Sequence, residues 1–267
     1  MHNFTAMLNL RFAKDYLLHR LLGKSRHGLH SPFVYRLVDK VIYDFSAKKV
    51  YNEIENIRIQ LLSDDRMITV TDLGAGSHLN NNRQKRVSDI ARNALKLPKL
   101  AQLLYRLVSD LQPLNMIELG TCLGTTSLYL KKAAPNAQLF TLEGCPETAG
   151  IASNGFKNAG IEDIKLITGN FDDTLPGVIN GLDQLDFVFV DGNHQKDATL
   201  KYFEWCLPKV HENTLLIFDD IYWSEGMKEA WAEIKANPQI TVTIDLFWIG
   251  LVYFKRGQVK EDFVVRF

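Results

Sequence analysis

Cysteine is scarce: Cys122, Cys145 and Cys206 are the only three in 267 residues, and no two form a C-x-x-C. That excludes a disulfide framework or a zinc ribbon and fits a reducing compartment. An excess of charge is missing too. Lys+Arg and Asp+Glu stand at 31 each, which argues against a protein built to coat DNA or RNA. No apolar run reaches the roughly 18 residues a membrane span needs. The longest, Leu246 to Phe254, is strand-sized and carries a glycine. The first residues do not read as an export signal, because Arg11, Lys14, Asp15 and Arg20 break the apolar stretch. What is present is 46% apolar content, enough for a chain of this length to bury roughly three quarters of its unfolded surface. The expectation is a soluble cytoplasmic protein with neither nucleic acid nor membrane as partner.

Residues 1 to about 65 carry apolar residues at three- and four-residue spacing, in FAKDYLLHRLLG and in VYNEIENIRIQLL. This predicts amphipathic helices, punctuated by Gly28 and Pro32. MITVTDLGAGS reads as a strand ending in a glycine turn, and SHLNNNRQKR, with Arg83, Lys85 and Arg86, as a solvated loop. A helical pattern resumes at Val87 and breaks at Pro98. After Leu111 the strand segments NMIELG, AQLFTLEG, IKLITGN, LDFVFVDG and TLLIFDD are interleaved with helical segments. Such nearly continuous apolar strands predict a parallel sheet covered on both faces. ITVTIDLFWIGLVYFKRG leaves little room for a helix and predicts a closing antiparallel hairpin. The expected division is a mainly helical extension with a glycine turn over 1–85 and an α/β domain over 86–267.

In an open parallel sheet, ligands bind beyond the carboxyl ends of the strands, where the topology switches. The first strand of the alternating region runs into Glu118-Leu119-Gly120-Thr121-Cys122-Leu123-Gly124-Thr125-Thr126. Gly120 permits a sharp turn and a close approach to a ligand, and Gly124 lets the next helix pack tightly. Glu143 ends the following strand, about 20 residues on, where a carboxylate accepts both hydrogen bonds of a ribose diol. The dinucleotide fingerprint G-x-G-x-x-G is not met, since Thr121 fills no glycine role. S-adenosylmethionine has no pyrophosphate and tolerates the looser turn. A turn without a ligand is the plainer reading, and the position of Glu143 weighs against it. DLGAGS at 72–77 is a rival turn, but a polar stretch follows it in place of an apolar helix, so it reads as structural.

These segments resemble the class I S-adenosylmethionine-dependent methyltransferases, above all the branch of catechol and caffeoyl-CoA O-methyltransferases. ELGTCLGTTSLYL is similar to their first motif, and the likeness continues through LFTLEG, ITGNFDDTLPGV, LDFVFVDGNH and LLIFDDIYWSEGM. The first 80 or so residues have no assignable counterpart. The resemblance implies a Rossmann-like, mostly parallel α/β sheet of seven strands ending in the hairpin. It also implies S-adenosyl-L-methionine as cofactor and methyl transfer to a small-molecule acceptor, at oxygen. Within a cradle running from Glu118 to Thr126, it puts Gly120 and Thr121 beside the methionine part and Thr126 on its carboxylate. Glu143 would hold the ribose, while Gly169, Asn170 and Phe171 flank the adenine. Asn170 and Phe171 also read as a loop residue and a core aromatic.

Asp191 ends the fourth strand, and Asp219 and Asp220 end the fifth. These acids should converge at the cofactor's rim, Asp191 bordering the cofactor itself. In metal-dependent O-methyltransferases the matching positions hold a divalent cation, usually magnesium, for which oxygen ligands are suited. Asp220 stands where those enzymes usually have asparagine. The alternative is that Asp191 orients substrate while Asp219 or Asp220 caps a loop or helix, and DGNH is also similar to a D-G-x-H turn of relatives not known to need metal. His194 lies where the catechol enzymes place a basic lysine. A histidine titrates near pH 6.5 and can deprotonate or orient the acceptor, or it can be structural. His27 and His30 have H-x-x-H spacing without a third ligand nearby, which favours loop packing. Tyr222 and Trp223 either wall an acceptor pocket or pack in the core. The extension is expected to cover the acceptor pocket or to form a homodimer interface. Two other classes stay open: a nucleotide-dependent oxidoreductase on a similar sheet, and a binding protein that kept the fold without turnover.

Overall fold

The computed structural model describes residues 2–71 and 83–267; the DLGAGS turn falls outside the described residues. Helices α1 (His2–Leu22), α2 (Pro32–Leu37) and α3 (Lys49–Leu62) come first. Strands β1 (Met67–Thr69) and β2 (Gln84–Arg86) follow and pair antiparallel, with Ile68 opposite Lys85. This corrects the loop expected over the basic cluster. Polar side chains suggest a loop, but the backbone groups of Gln84–Arg86 find partners in β1, which is what a ladder requires.

After α4 (Val87–Ala94) and α5 (Pro98–Leu111) the chain alternates as expected. The elements are β3 (Asn115–Leu119), α6 (Thr125–Ala133), β4 (Gln138–Glu143), α7 (Pro146–Asn158), β5 (Ile164–Thr168), α8 (Phe171–Asn180) and β6 (Leu185–Val190). Then come α9 (Lys196–Cys206), β7 (Val210–Asp219), α10 (Glu225–Ala236), β8 (Val242–Asp245), β9 (Ile249–Tyr253) and β10 (Glu261–Val264). The eight strands β3–β10 form one sheet in the order β10-β8-β9-β7-β6-β3-β4-β5. β9 runs antiparallel to β7 and β8, which makes the hairpin; the other neighbours are parallel. Seven strands were expected. The eighth, β10, lies parallel to β8 with Phe263 opposite Ile244, and its charged opening Glu261-Asp262 disguises it in the sequence.

Alternation along a strand sends successive side chains to opposite faces. In β6, Phe187 and Phe189 join one core layer with Leu103, Leu107 and Met116, while Val188 and Val190 join the other with Tyr202 and Trp231. The extension belongs to the first layer: Val34, Leu37, Val38, Val41 and Ile42 pack in the same cluster as Leu103 and Phe187. α3 packs separately, with Tyr51 and Ile54 against Tyr129 of α6.

α1 is fastened to the hairpin by a buried polar knot. His19 Nε2 sits 3.0 Å from Asp245 Oδ1, both side chains being almost fully buried. Tyr222 Oη donates to Asp245 Oδ2 at 2.9 Å, Trp231 Nε1 donates to the same oxygen at 3.2 Å, and the Phe247 N–H donates to Oδ1 at 2.9 Å. Tyr222 also stacks on Phe247 at 4.8 Å, so it is the core reading that holds for this residue. A second buried carboxylate, Glu118, sits within β3. Ser127 Oγ and Thr141 Oγ1 both donate to its Oε2, which ties α6 and β4 to the central strand. Glu118 is fully buried, so it supports the turn after β3 from beneath.

Two outcomes follow from these buried acids. Asp245→Ala leaves His19, Tyr222 and Trp231 without their shared acceptor and should cost about 3 kcal/mol in urea unfolding; a loss under 1 kcal/mol would show the knot to be dispensable. Burial raises the Glu118 carboxyl from 4.5 to about 7, against the pull of its two hydroxyl donors. The folded chain therefore holds this proton more tightly than the unfolded one. The stability contributed is complete below the unfolded value and is lost as pH rises through the folded one. Glu118→Gln removes that loss, so the stability difference between variant and wild type should grow by roughly 3 kcal/mol in the variant's favour from pH 4.5 to pH 7. Parallel stability curves would contradict it.

Candidate active site

The sheet reverses direction of growth at β3, which lies between β6 and β4. The turn beyond β3 is locked to both neighbours. The N–H groups of Gly120 and Thr121 donate to the Leu142 carbonyl at 2.9 and 3.2 Å, and the Asp191 N–H donates to the Leu119 carbonyl at 2.9 Å. Gly120 has φ +99°, and a Cβ there would lie 2.1 Å from the Asp191 carbonyl oxygen, so no other residue fits. Gly124, at φ +84°, opens α6; a Cβ would meet Phe156 of α7 at 2.7 Å.

Glu143 leaves the tip of β4 half-buried beside this turn. Its Oε2 accepts the Cys122 N–H at 2.7 Å and its Oε1 the Cys145 N–H at 2.9 Å. Burial raises its carboxyl above the ordinary value, and the backbone donors oppose that shift. Each oxygen retains a lone pair for a further donor, so the donor set fits the ribose of an adenosyl ligand. The Gly169 N–H donates to the Glu143 carbonyl at 2.9 Å, which brings the loop after β5 alongside. Asn170 Oδ1 caps α8 by accepting the Asp172 N–H at 3.1 Å. The Phe171 ring lies under Gly192 and meets Tyr202 edge-on at 6.0 Å. Thr126 sits in the first turn of α6, nearly buried, whereas the Thr121 hydroxyl turns inward to Thr141 Oγ1 at 2.6 Å.

The acids converge as the topology requires. Asp191 follows β6, Asp219 ends β7, and Asp220 sits beside it with φ +54°. His194 Nε2 is 3.8 Å from Asp191 Oδ1 and 3.8 Å from Asp220 Oδ2. Burial lowers its pKa, so the ring is neutral and able to accept a proton at neutral pH. Among the described residues, the groups whose ligand atoms lie within 4.8 Å of one another are Asp191, His194 and Asp219. The three-aspartate set expected from the sequence is thus altered, with His194 taking the place of Asp220. His27 and His30 join no such group among the described residues.

One residue of the site escaped the sequence reading. Lys96, in the short link between α4 and α5, extends its ammonium into the acidic rim. Nζ lies 3.0 Å from Asp191 Oδ1 and donates to Asp219 Oδ2. Burial by itself lowers the Lys96 pKa, but Asp191, Asp219 and Asp220 together raise it above the ordinary lysine value. Burial raises Asp191 well above the usual carboxylate range although Lys96 opposes this, and burial together with Asp219 takes Asp220 to about 7. The only signal in the sequence is a lysine between two leucines before a proline, LKLP. The residues present do not fit a divalent cation. The ammonium already takes one oxygen each of Asp191 and Asp219, so a divalent ion on these acids would have to displace it, or else face it at roughly 4 Å with about 8 kcal/mol of repulsion between +2 and +1 at an effective dielectric of about 20.

Residues 117–221 match the family model described as a methyltransferase domain. The catechol O-methyltransferase of Niastella koreensis is 31% identical over 127 residues, covering 46% of this chain and 57% of that protein. Catechol O-methyltransferase B of Danio rerio is 35% identical over 126 residues, 45% of this chain and 47% of that protein. The chain thus spans about half the length of these curated relatives. The crystal structure of an S-adenosylhomocysteine-bound methyltransferase from Podospora anserina superposes with a TM-score of 0.58 at 16% identity, covering 85% of this chain and 97% of that one. By sequence, residues 117–221 are similar to a methyltransferase domain and to catechol O-methyltransferases, and the chain shares the fold of the methyltransferase structure it superposes on.

Proposed function

We infer that this chain transfers a methyl group from S-adenosylmethionine to the oxygen of a small-molecule acceptor. The observation that carries this reading is a single juxtaposition. Glu143 and the Gly120 turn stand at the switch point of the sheet, and the rim of Asp191, Asp219, Asp220 and His194 adjoins them.

When bound, the cofactor supplies a methyl group on a positively charged sulfur, open to in-line attack. Glu143 would hold the ribose, and the Gly120–Thr121 backbone and Thr126 would accommodate the amino-acid end. Much of the catalysis is then positioning. His194 takes the acceptor's hydroxyl proton on Nε2, and the carboxyl oxygens of Asp191 and Asp220, each 3.8 Å from that nitrogen, favour the imidazolium that forms when they are ionised. In that attack the methyl carbon would pass from sulfur to the acceptor oxygen, one bond forming as the other breaks. Transfer leaves S-adenosylhomocysteine, a methylated acceptor and a proton on His194 that passes to solvent. No step runs through a metal.

Helix α1 serves this site as a cover. Arg11 Nη2 donates to the Trp223 carbonyl at 3.1 Å and Nη1 pairs with Glu225 at 3.2 Å, so α1 lies against the loop that follows the acids. Trp223 itself is about half exposed and walls the acceptor side of that loop.

Calorimetry with S-adenosylhomocysteine tests the binding half of the reading. The wild type should bind it, and Glu143→Ala, still folded by circular dichroism, should bind it about 10- to 100-fold more weakly, as expected for losing a charged acceptor. Absence of binding by the wild type would end the reading. The relatives make catechol the first acceptor to try. With it, His194→Ala should lower turnover by about 100-fold and leave S-adenosylhomocysteine affinity unchanged; near-normal turnover would remove His194 from its role as base.

A further inference from the structure

We propose that Lys96 is the resident cation of the acidic rim: its ammonium occupies the place that a divalent ion takes in metal-dependent O-methyltransferases, and this chain binds no metal there. The claim rests on the methyltransferase reading for what the charge does, but not for where it sits.

The geometry carries it. Asp191 and Asp219 come from the tips of neighbouring parallel strands, and the ammonium contacts one oxygen of each. The Lys96 side chain is only 14% exposed, and that of Asp219 only 1%, so the contact is an interior one and not a surface pair that salt would screen. Its backbone is held as well. Buried Arg58 of α3 donates from Nη2 to the Lys96 carbonyl and pairs through Nε with Glu55 at 2.9 Å, while Glu55 accepts the Tyr129 hydroxyl at 2.9 Å. Leu95 on one side is buried, and Pro98 begins α5 just beyond. The link therefore has little freedom to withdraw the side chain. A lysine head is a compact charge with three donors. Two are used by Asp191 and Asp219, and the third is available to an acceptor oxygen, which a single ammonium then polarises without a metal.

Manganese titration of the full chain, followed by electron paramagnetic resonance, tests this. Wild type and Lys96→Arg, which keeps the charge, should leave the free-ion signal undiminished. Lys96→Ala opens the cation place to Asp191, His194 and Asp219 and should bind manganese at least about tenfold more tightly than wild type; adding Asp219→Asn to it should abolish the gain. Manganese uptake by wild type that Asp219→Asn removes would overturn the proposal, and this arm needs no folded Lys96→Ala. Failure of Lys96→Ala to gain manganese, while it still binds S-adenosylhomocysteine, would overturn it equally. Failure of the methyltransferase reading appears elsewhere, as a wild type that does not bind S-adenosylhomocysteine, and leaves the manganese result standing.

Discussion

Where β3 ends, the backbone of Gly120 passes so near the Asp191 carbonyl that a single added carbon would lie 2.1 Å from its oxygen. That contact, with the Gly120 and Thr121 amides on Leu142 and the Asp191 amide on Leu119, fuses the tips of three central strands into one rigid piece. Glu143 is fixed to it through Cys122. The group suited to a ribose and the first acid of the rim are therefore placed by the same few peptide units. A binding turn and a chemical rim held in common need no later movement to meet, which is the preorganisation that positioning catalysis depends on.

The same fusion creates an electrostatic difficulty. Parallel strands ending side by side bring Asp191, Asp219 and Asp220 together in a half-buried space, where burial first and the charge of Asp219 second raise the affinity of Asp191 and Asp220 for protons. An opposite charge beside them favours their ionised forms. A dissolved ion is one solution; a lysine delivered by the chain is another, and the two compete for the same oxygens. With Lys96 in contact with two of the acids, the neutral His194 stands on the same rim as a group able to take a proton.

Much of the fold was legible because parallel β/α units announce themselves. Strands buried on both faces are nearly continuous apolar runs, as LDFVFV shows, and the glycines at 120 and 124 mark a turn whose backbone tolerates no side chain. β2 and β10 were not legible. They are short, open on polar or charged residues, and owe their existence to backbone partners across an intervening segment, β1 and β8. The candidate site divides in the same way. Glu143, Asp191, Asp219 and His194 lie at strand ends, where spacing gives them away. Glu118 shares that address, yet its side chain points beneath the turn to Ser127 and Thr141, because alternation along β3 decides its face. Lys96 lies on no strand at all, and only the folding of α5 against the sheet carries it to the rim.

That origin also explains why the N-terminal helices matter to the rim. A long flexible side chain neutralises two fixed acids only if its own backbone is fixed. The backbone of Lys96 is held by Arg58, whose carboxylate partner Glu55 is in turn held by Tyr129 of α6, the helix that begins at the Gly124 turn. The path from the Gly120–Gly124 turn to the ammonium thus runs through α3, part of the segment to which the sequence motifs assign no role. A chain that replaces a freely exchanging ion by a tethered one must build the tether's anchor, and in this molecule the anchor is supplied by the extension.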